Sequence, residues 1–310
     1  FWIGGPGEEV HGTATALAMD TFDRENGAEQ WHSALFPHYR SDALVTSLAE
    51  LRGHPDFTLD YWRQALSRVT DPMTRGRQMV MHVSDPERGI MPAQSPLGMN
   101  LGKAAGYARG SKALGKAGVA VAVCGDGTTG TSDFHECMMA AGLWSLPLLV
   151  VVTDNELAIS VTPDEGRGIK DYRAYADAFR VHHMDCDGFD LDSTYATTLS
   201  ALRWVRDNGR SCLLHVRVPR LRGHSSSDGA VFSYDERDPL MELGESLVVS
   251  GDLPADAIVR RNSEVLGRDW FEDHDLGTVG EEEATRMRSS LEVARAEPAP
   301  EPGDEYLFAH

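Results

Sequence analysis

Two apolar runs constrain this chain more than anything else in it: VAVAV at 119–123 and LPLLVVV at 146–152. Each is too short for a buried helix, shows no polar alternation, and is rich in β-branched residues. That pattern reads as strands covered on both faces, as in a parallel sheet packed between helices. VHHMDCDG at 181–188 and CLLHVRV at 212–218 read as a third and a fourth strand. Helical periods separate them: one from about Asp133 to Trp144, with Asp133 and Glu136 spaced as a capping box, and one over STYATTLSALRWVRDNG with a glycine stop. A helix is also expected after the opening glycines, another over TLDYWRQALSRV, and a glycine- and alanine-rich one entered through Pro96 and left through Gly118. The fold class is therefore α/β, a mostly parallel sheet with helices on both faces. After about residue 235 the pattern changes to charged helices, 238–251, 253–266 and 280–298, and a proline-rich tail ending in YLFAH. The expected organisation is a ligand-binding α/β domain over 1–235, with a helical extension and partner-contacting tail over 236–310 packed on it.

Both apolar runs end in oxygen donors. The first leads into Gly125-Asp126-Gly127 and the second into Asp154-Asn155. In open α/β sheets, ligands bind beyond the carboxyl ends of the strands. Glycine lets a turn bring backbone amides against phosphate oxygens without a Cβ in the way. Asp126 offers a hard anionic oxygen, Asn155 a neutral one, and the backbone near Leu157 a third, a set that suits Mg²⁺ carrying a phosphate ligand. The loop is not a P-loop, because no G-K-[ST] follows, and the dinucleotide fingerprint is absent.

The 310 residues carry 48 acids against 29 bases, a formal charge of −19. Nucleic acid and anionic membrane surfaces are poor partners for such a chain. No apolar run reaches the roughly 18 residues of a spanning helix, and no signal-peptide pattern opens the sequence as given. The four cysteines form no C-x-x-C pair, which fits reduced cysteine in a cytoplasmic protein.

GDGTTGTSDFHE at 125–136, followed by DN at 154–155, resembles the thiamine-diphosphate motif. GEE at 7–9, YR at 39–40, GRQMVMH at 76–82, SPL at 95–97, NELAIS at 155–160 and RLRGHSSSD at 220–228 extend the resemblance. Together they are similar, in order, to the alpha subunits of 2-oxo acid dehydrogenase E1 components. The resemblance implies the diphosphate-binding half of the thiamine-diphosphate fold, with thiamine diphosphate and Mg²⁺ as cofactors. It implies Asp126, Asn155 and the Leu157 carbonyl as metal ligands, and Gly125, Gly127, Thr128, Tyr39 and Arg40 about the diphosphate. It further implies Ser95 and the Leu97 carbonyl at the aminopyrimidine, and His224 as the active-site histidine on a loop. The implied activity is oxidative decarboxylation of a small 2-oxo acid with acyl transfer to the lipoyl domain of an E2 acyltransferase. The GRQM and SPL phrases look closest to branched-chain members. The activating glutamate of that family belongs to a beta chain, and nothing here matches it. A beta-type partner in an α2β2 assembly is therefore expected.

Departures from the pattern stand at Thr153, Asp154, Glu156 and His38. They place two acids near a diphosphate and remove one cation, so either the cofactor is held weakly or Arg40, Arg220 and Arg222 compensate. His135 and His215 read as structural. The segment 220–228, with almost no apolar surface to bury, is expected to order when cofactor binds. An acetoin- or pyruvate-type subunit with the same site is one alternative, and a non-catalytic thiamine-phosphate or nucleotide-binding scaffold is another.

Overall fold

A computed structural model describes residues 3–27, 33–116, 118–225, 228, 237–253 and 277–299. Strands β1 (Ser33–Phe36), β2 (Val119–Gly125), β3 (Leu148–Asp154), β4 (His182–Asp187) and β5 (Cys212–Arg217) form one sheet. Their order is β1-β2-β3-β5-β4, and every neighbouring pair is parallel. Ten helices accompany them among the described residues: α1 (Glu9–Glu25), α2 (Asp42–Leu51), α3 (Phe57–Ala65), α4 (Met99–Ala113), α5 (Ser132–Trp144), α6 (Pro163–Gly166), α7 (Tyr172–Ala178), α8 (Leu191–Asn208), α9 (Pro239–Ser250) and α10 (Gly277–Ala296). None is long and apolar enough to cross a membrane.

Strand alternation splits the core into two layers. Val119, Val121 and Val123 of β2 pack with Met19 and Phe22 of α1 and with Leu44 and Leu48 of α2. Ala120, Ala122 and Cys124 face the other way, onto Leu101, Ala104 and Ala108 of α4 and Phe134 and Met138 of α5. Alanine opposite alanine lets α4 lie close to the strand. Both β2 and β3 are buried throughout except at Gly125, which is why they read as unbroken apolar runs. Close approach also explains Gly142 of α5, where an added Cβ would lie 1.8 Å from the Phe179 carbonyl oxygen.

The expected strands and central helices are present, with local differences. The α5 cap is Thr131, whose side chain accepts from the Phe134 N–H, so the Asp133–Glu136 box does not form the helix start. Helix α4 begins at Met99 behind Gly98, which takes a left-handed φ of 82°, and it ends well before Gly118. The four-residue β1 carries no readable pattern of its own and is fixed by pairing with β2. Arg63 of α3 holds Glu297, which follows α10, through Nε at 2.9 Å and a close Nη2 contact. The expected helix over 253–266, apart from Leu253, and the YLFAH tip lie outside the described residues.

Candidate functional site

The carboxyl ends of β1, β2 and β3 open into a cleft of about 370 Å³. The residues that the resemblance implies as ligands and active-site groups line it: Tyr39, Arg40, Ser95, Leu97, Gly125, Asp126, Gly127, Thr128, Asn155, Leu157 and His224, whereas Asp154, Glu156, Arg220 and Arg222 do not. Asn100, which no motif marked, ties the rim together. Its buried amide donates to Val123 O at 2.8 Å, Phe36 O at 3.0 Å and Pro37 O at 3.4 Å, joining the ends of β1 and β2.

Beyond β2 the chain winds into a short 3₁₀ turn over Asp126–Gly130, pinned by Thr129 Oγ1 donating to Asp126 O at 2.7 Å. Neither Gly125 nor Gly127 uses left-handed backbone there. Gly127 is required because an added Cβ would meet the Ala158 Cβ at 2.7 Å, whereas Gly125 leaves open space on its Cβ side. The loop after β3 is tight. Glu156 and Ile159 take positive φ, 57° and 60°, and Ala158 and Val161 exchange two 2.9 Å backbone hydrogen bonds. Such non-glycine strain gathers at functional sites.

Asp126 is buried, and burial, followed by the charge of Asp154, pushes its carboxyl up to about 6. Asp154 goes the other way. Burial opposes ionisation, but hydrogen bonds from His215 and Arg167 hold it far below the usual carboxylate range. Arg167 Nη1 reaches Asp154 Oδ2 at 3.0 Å and Nη2 reaches Oδ1 at 3.3 Å, while His215 Nε2 lies 3.2 Å from Oδ2. The cation that compensates Asp154 is thus Arg167. Arg40 and Arg220 are committed elsewhere, and His215, which bonds Asp154 and Asp185 and does not line the cleft, has a structural role as Asp154's partner. Among the described residues no three His, Cys, Asp or Glu side chains are arranged to hold a metal. A Mg²⁺ site would rest on one carboxylate, Asp126, with Asn155 and a backbone carbonyl. Asn155 Oδ1 accepts from Leu157 N at 3.1 Å, and the Leu157 carbonyl accepts from Arg220 Nη1 at 2.8 Å, which leaves one of its two lone pairs.

His224 is fixed by Arg40, whose Nη2 donates to His224 Nδ1 and to its carbonyl, both at 3.0 Å, while Nη1 donates to Gly4 O at 2.6 Å. A guanidinium only donates, so Nδ1 accepts and the ring proton sits on Nε2. Burial, then the charges of Arg40 and Arg220, lower the imidazole below its ordinary value and keep it neutral near pH 7. The Tyr39 ring meets His224 edge-on at 6.0 Å. Ser95 Oγ contacts His82 Nε2. The segment around His224 is better anchored than its composition suggested: Leu221 is 3% exposed, and Arg220 also donates to Ile159 O at 3.3 Å. Residues 226, 227 and 229–236 are outside the described set. Glu8 and His38, both buried, complete the inner wall, with the Glu8 carboxylate 3.8 Å from His38 Nε2.

A doubly covered parallel sheet with a carboxylate, amide oxygens and glycine-framed backbone gathered at its strand ends defines the chain as an α/β protein with a strand-end cleft. The chain belongs to the dehydrogenase E1 component family, whose model matches residues 5–254. It is similar to the alpha subunit of acetoin:2,6-dichlorophenolindophenol oxidoreductase from Cupriavidus necator, 27% identical over 230 residues, covering 74% of this chain and 66% of the relative. It is similar also to the pyruvate dehydrogenase E1 component subunit alpha of Rickettsia felis, 25% identical over 286 residues, covering 86% and 79% respectively. The mitochondrial 2-oxoisovalerate dehydrogenase subunit alpha of Caenorhabditis elegans is 26% identical over 274 residues, covering 88% of this chain and 57% of the relative.

Proposed function

We propose that this chain is the alpha-type half of a thiamine-diphosphate-dependent 2-oxo acid dehydrogenase E1 component. The observation that carries the reading is the single cleft that gathers Asp126, Asn155 and Leu157 at the strand ends with Tyr39, Arg40 and His224 opposite. The residues fit the cofactor. A buried carboxyl raised by its surroundings gains from a divalent cation, and open space at Gly125 admits a phosphate. Asp126, Asn155 and the Leu157 carbonyl would hold Mg²⁺, and Gly125, Gly127, Thr128, Tyr39 and Arg40 would hold the diphosphate. Ser95 and the Leu97 carbonyl would meet the aminopyrimidine. When bound, thiamine diphosphate supplies the electron sink for decarboxylation and carries the acyl group.

His224 offers a proton at Nε2, with Arg40 orienting the ring from Nδ1. The substrate is a small 2-oxo acid, with branched aliphatic acids favoured on the phrases at 76–79 and 95–97. A relative acting on acetoin supports acetoin as the second reading. A beta-type chain in an α2β2 assembly completes the site, and a lipoyl domain accepts the acyl group. Four buried free cysteines suit a reducing, cytoplasmic setting. Titration calorimetry tests the core of the reading. Wild type binds thiamine diphosphate in a Mg²⁺-dependent way, and Asp126→Ala loses that dependence. Equal metal-dependent affinity in the two proteins sinks the assignment.

A further inference from the structure

Asp126 and Asp154 follow paired positions on neighbouring strands, since Gly125 lies opposite Thr153 in the β2–β3 register. Two carboxylates side by side would ordinarily both reach for a divalent cation and together repel a diphosphate. Here they are treated differently. Asp126 lines the main cleft; Asp154 does not. Both oxygens of Asp154 are occupied: Oδ1 accepts from Glu156 N at 3.0 Å and from Arg167, while Oδ2 accepts from Arg167 and His215. Arg167 comes no nearer than 3.8 Å to Asp126 and approaches from behind the 126–130 turn, where both residues line a separate cavity of about 240 Å³.

Arg167 is itself locked. Its guanidinium contacts the Tyr172 hydroxyl and lies 5.5 Å from the Tyr172 ring centre, and Tyr172 stacks on His215 at 4.2 Å. His215 is held from its far side by Asp185 at 2.9 Å. We propose that Arg167 is a positioning residue that holds Asp154 out of the metal's coordination. The two strand ends then present one carboxylate, Asp126, to a metal, a weak site for a bare cation and a good one for a cation already carrying a diphosphate. The inference rests on the functional reading above.

Removing Arg167 should therefore move two affinities in opposite directions, which a loss of structure cannot do. The measurements are Mn²⁺ binding to the free protein by electron paramagnetic resonance and thiamine diphosphate binding at saturating Mn²⁺ by calorimetry. In Arg167→Gln, Asp154 turns inward, and bare Mn²⁺ binds about tenfold more tightly, because carboxylate count sets cation affinity. Thiamine diphosphate binds about tenfold more weakly, because an uncompensated carboxylate faces its phosphates. The double variant Asp154→Asn/Arg167→Gln restores both affinities to within about threefold of wild type, as expected for two residues acting as one unit.

If Arg167→Gln does not fold, the double variant, which buries no charge at the pair, carries the test alone. A tenfold loss of Mn²⁺ affinity there makes Asp154 a ligand and overturns the proposal. Parallel weakening of both ligands in Arg167→Gln, or no change in either, overturns it as well. Wild type that binds neither Mn²⁺ nor thiamine diphosphate overturns the functional reading itself, a result distinguishable from the others.

Discussion

Glu8 is the buried acid with the plainest consequence for pH. Burial is the main cause that raises its carboxyl from 4.5 to about 7, outweighing the attraction of Arg40. Between those values the folded chain keeps a proton that the unfolded chain releases, so stability is whole below pH 4.5 and falls as pH rises through about 7. The loss is about 3 kcal/mol at 1.36 kcal/mol per pKa unit. Urea unfolding at pH 5 and pH 8 should show wild type losing about that much relative to Glu8→Gln, and parallel behaviour of the two would refute it. His224 gives a second expectation. His224→Ala should lower acyl transfer in the reconstituted enzyme by about 10²-fold or more while changing thiamine diphosphate affinity little, since a positioned acid or base is worth about that much. Near-normal transfer makes it a bystander. Asp126 and Asn155 were legible because strand ends with acid, amide and glycine mark them, and His224 only through the resemblance of the 220–228 phrase. Arg167, Asn100 and Glu8 were not. Arg167 meets Asp154 across a strained turn, and Asn100 satisfies three carbonyls from two distant strands, so each role exists only in tertiary geometry.

Elements with a strong period of their own, β2, β3 and α8, were readable almost to the residue, and Gly209 caps α8 in the left-handed conformation its glycine announced. β1 was invisible because four residues hold too little alternation to outweigh their surroundings. Glycines inside helices divide in the same way. Gly142 faces the Phe179 backbone with no room for a methyl group, while Gly106 of α4 has nothing within 4 Å. Gly142→Ala should destabilise by about 1–3 kcal/mol or more, as overpacking against backbone does. Gly106→Ala should be neutral or stabilise by up to about 1 kcal/mol, because helix propensity alone changes. Thermal unfolding followed by circular dichroism separates the two, and a similar melting shift for both removes the packing argument.

At the scale of the whole molecule, membership of the dehydrogenase E1 component family implies a beta-type partner, and Met139, Leu143 and Trp144 of α5 are among the large apolar side chains left exposed. The lone chain should accordingly turn over 2-oxoisovalerate, pyruvate and 2-oxoglutarate at background rate with an artificial electron acceptor, and gain activity with a beta-type chain. Full turnover without a partner overturns the two-chain reading. In the reconstituted enzyme, a pocket fitted to branched chains should favour 2-oxoisovalerate over pyruvate by about tenfold or more in kcat/KM, at about 1–3 kcal/mol per methylene. The strand order carries one more consequence, for assembly in time. Ser33 on β1 pairs with Val119 on β2, so the edge of the sheet closes only after α2, α3 and α4 have been made. During synthesis β1 leaves the ribosome long before the strand it needs, and closing so long a loop before its contacts repay it makes a slow step. A chain lacking β2 therefore has for β1, among the described residues, only its bridge from Leu35 to Ile90, and leaves the other edge of that apolar strand unpaired.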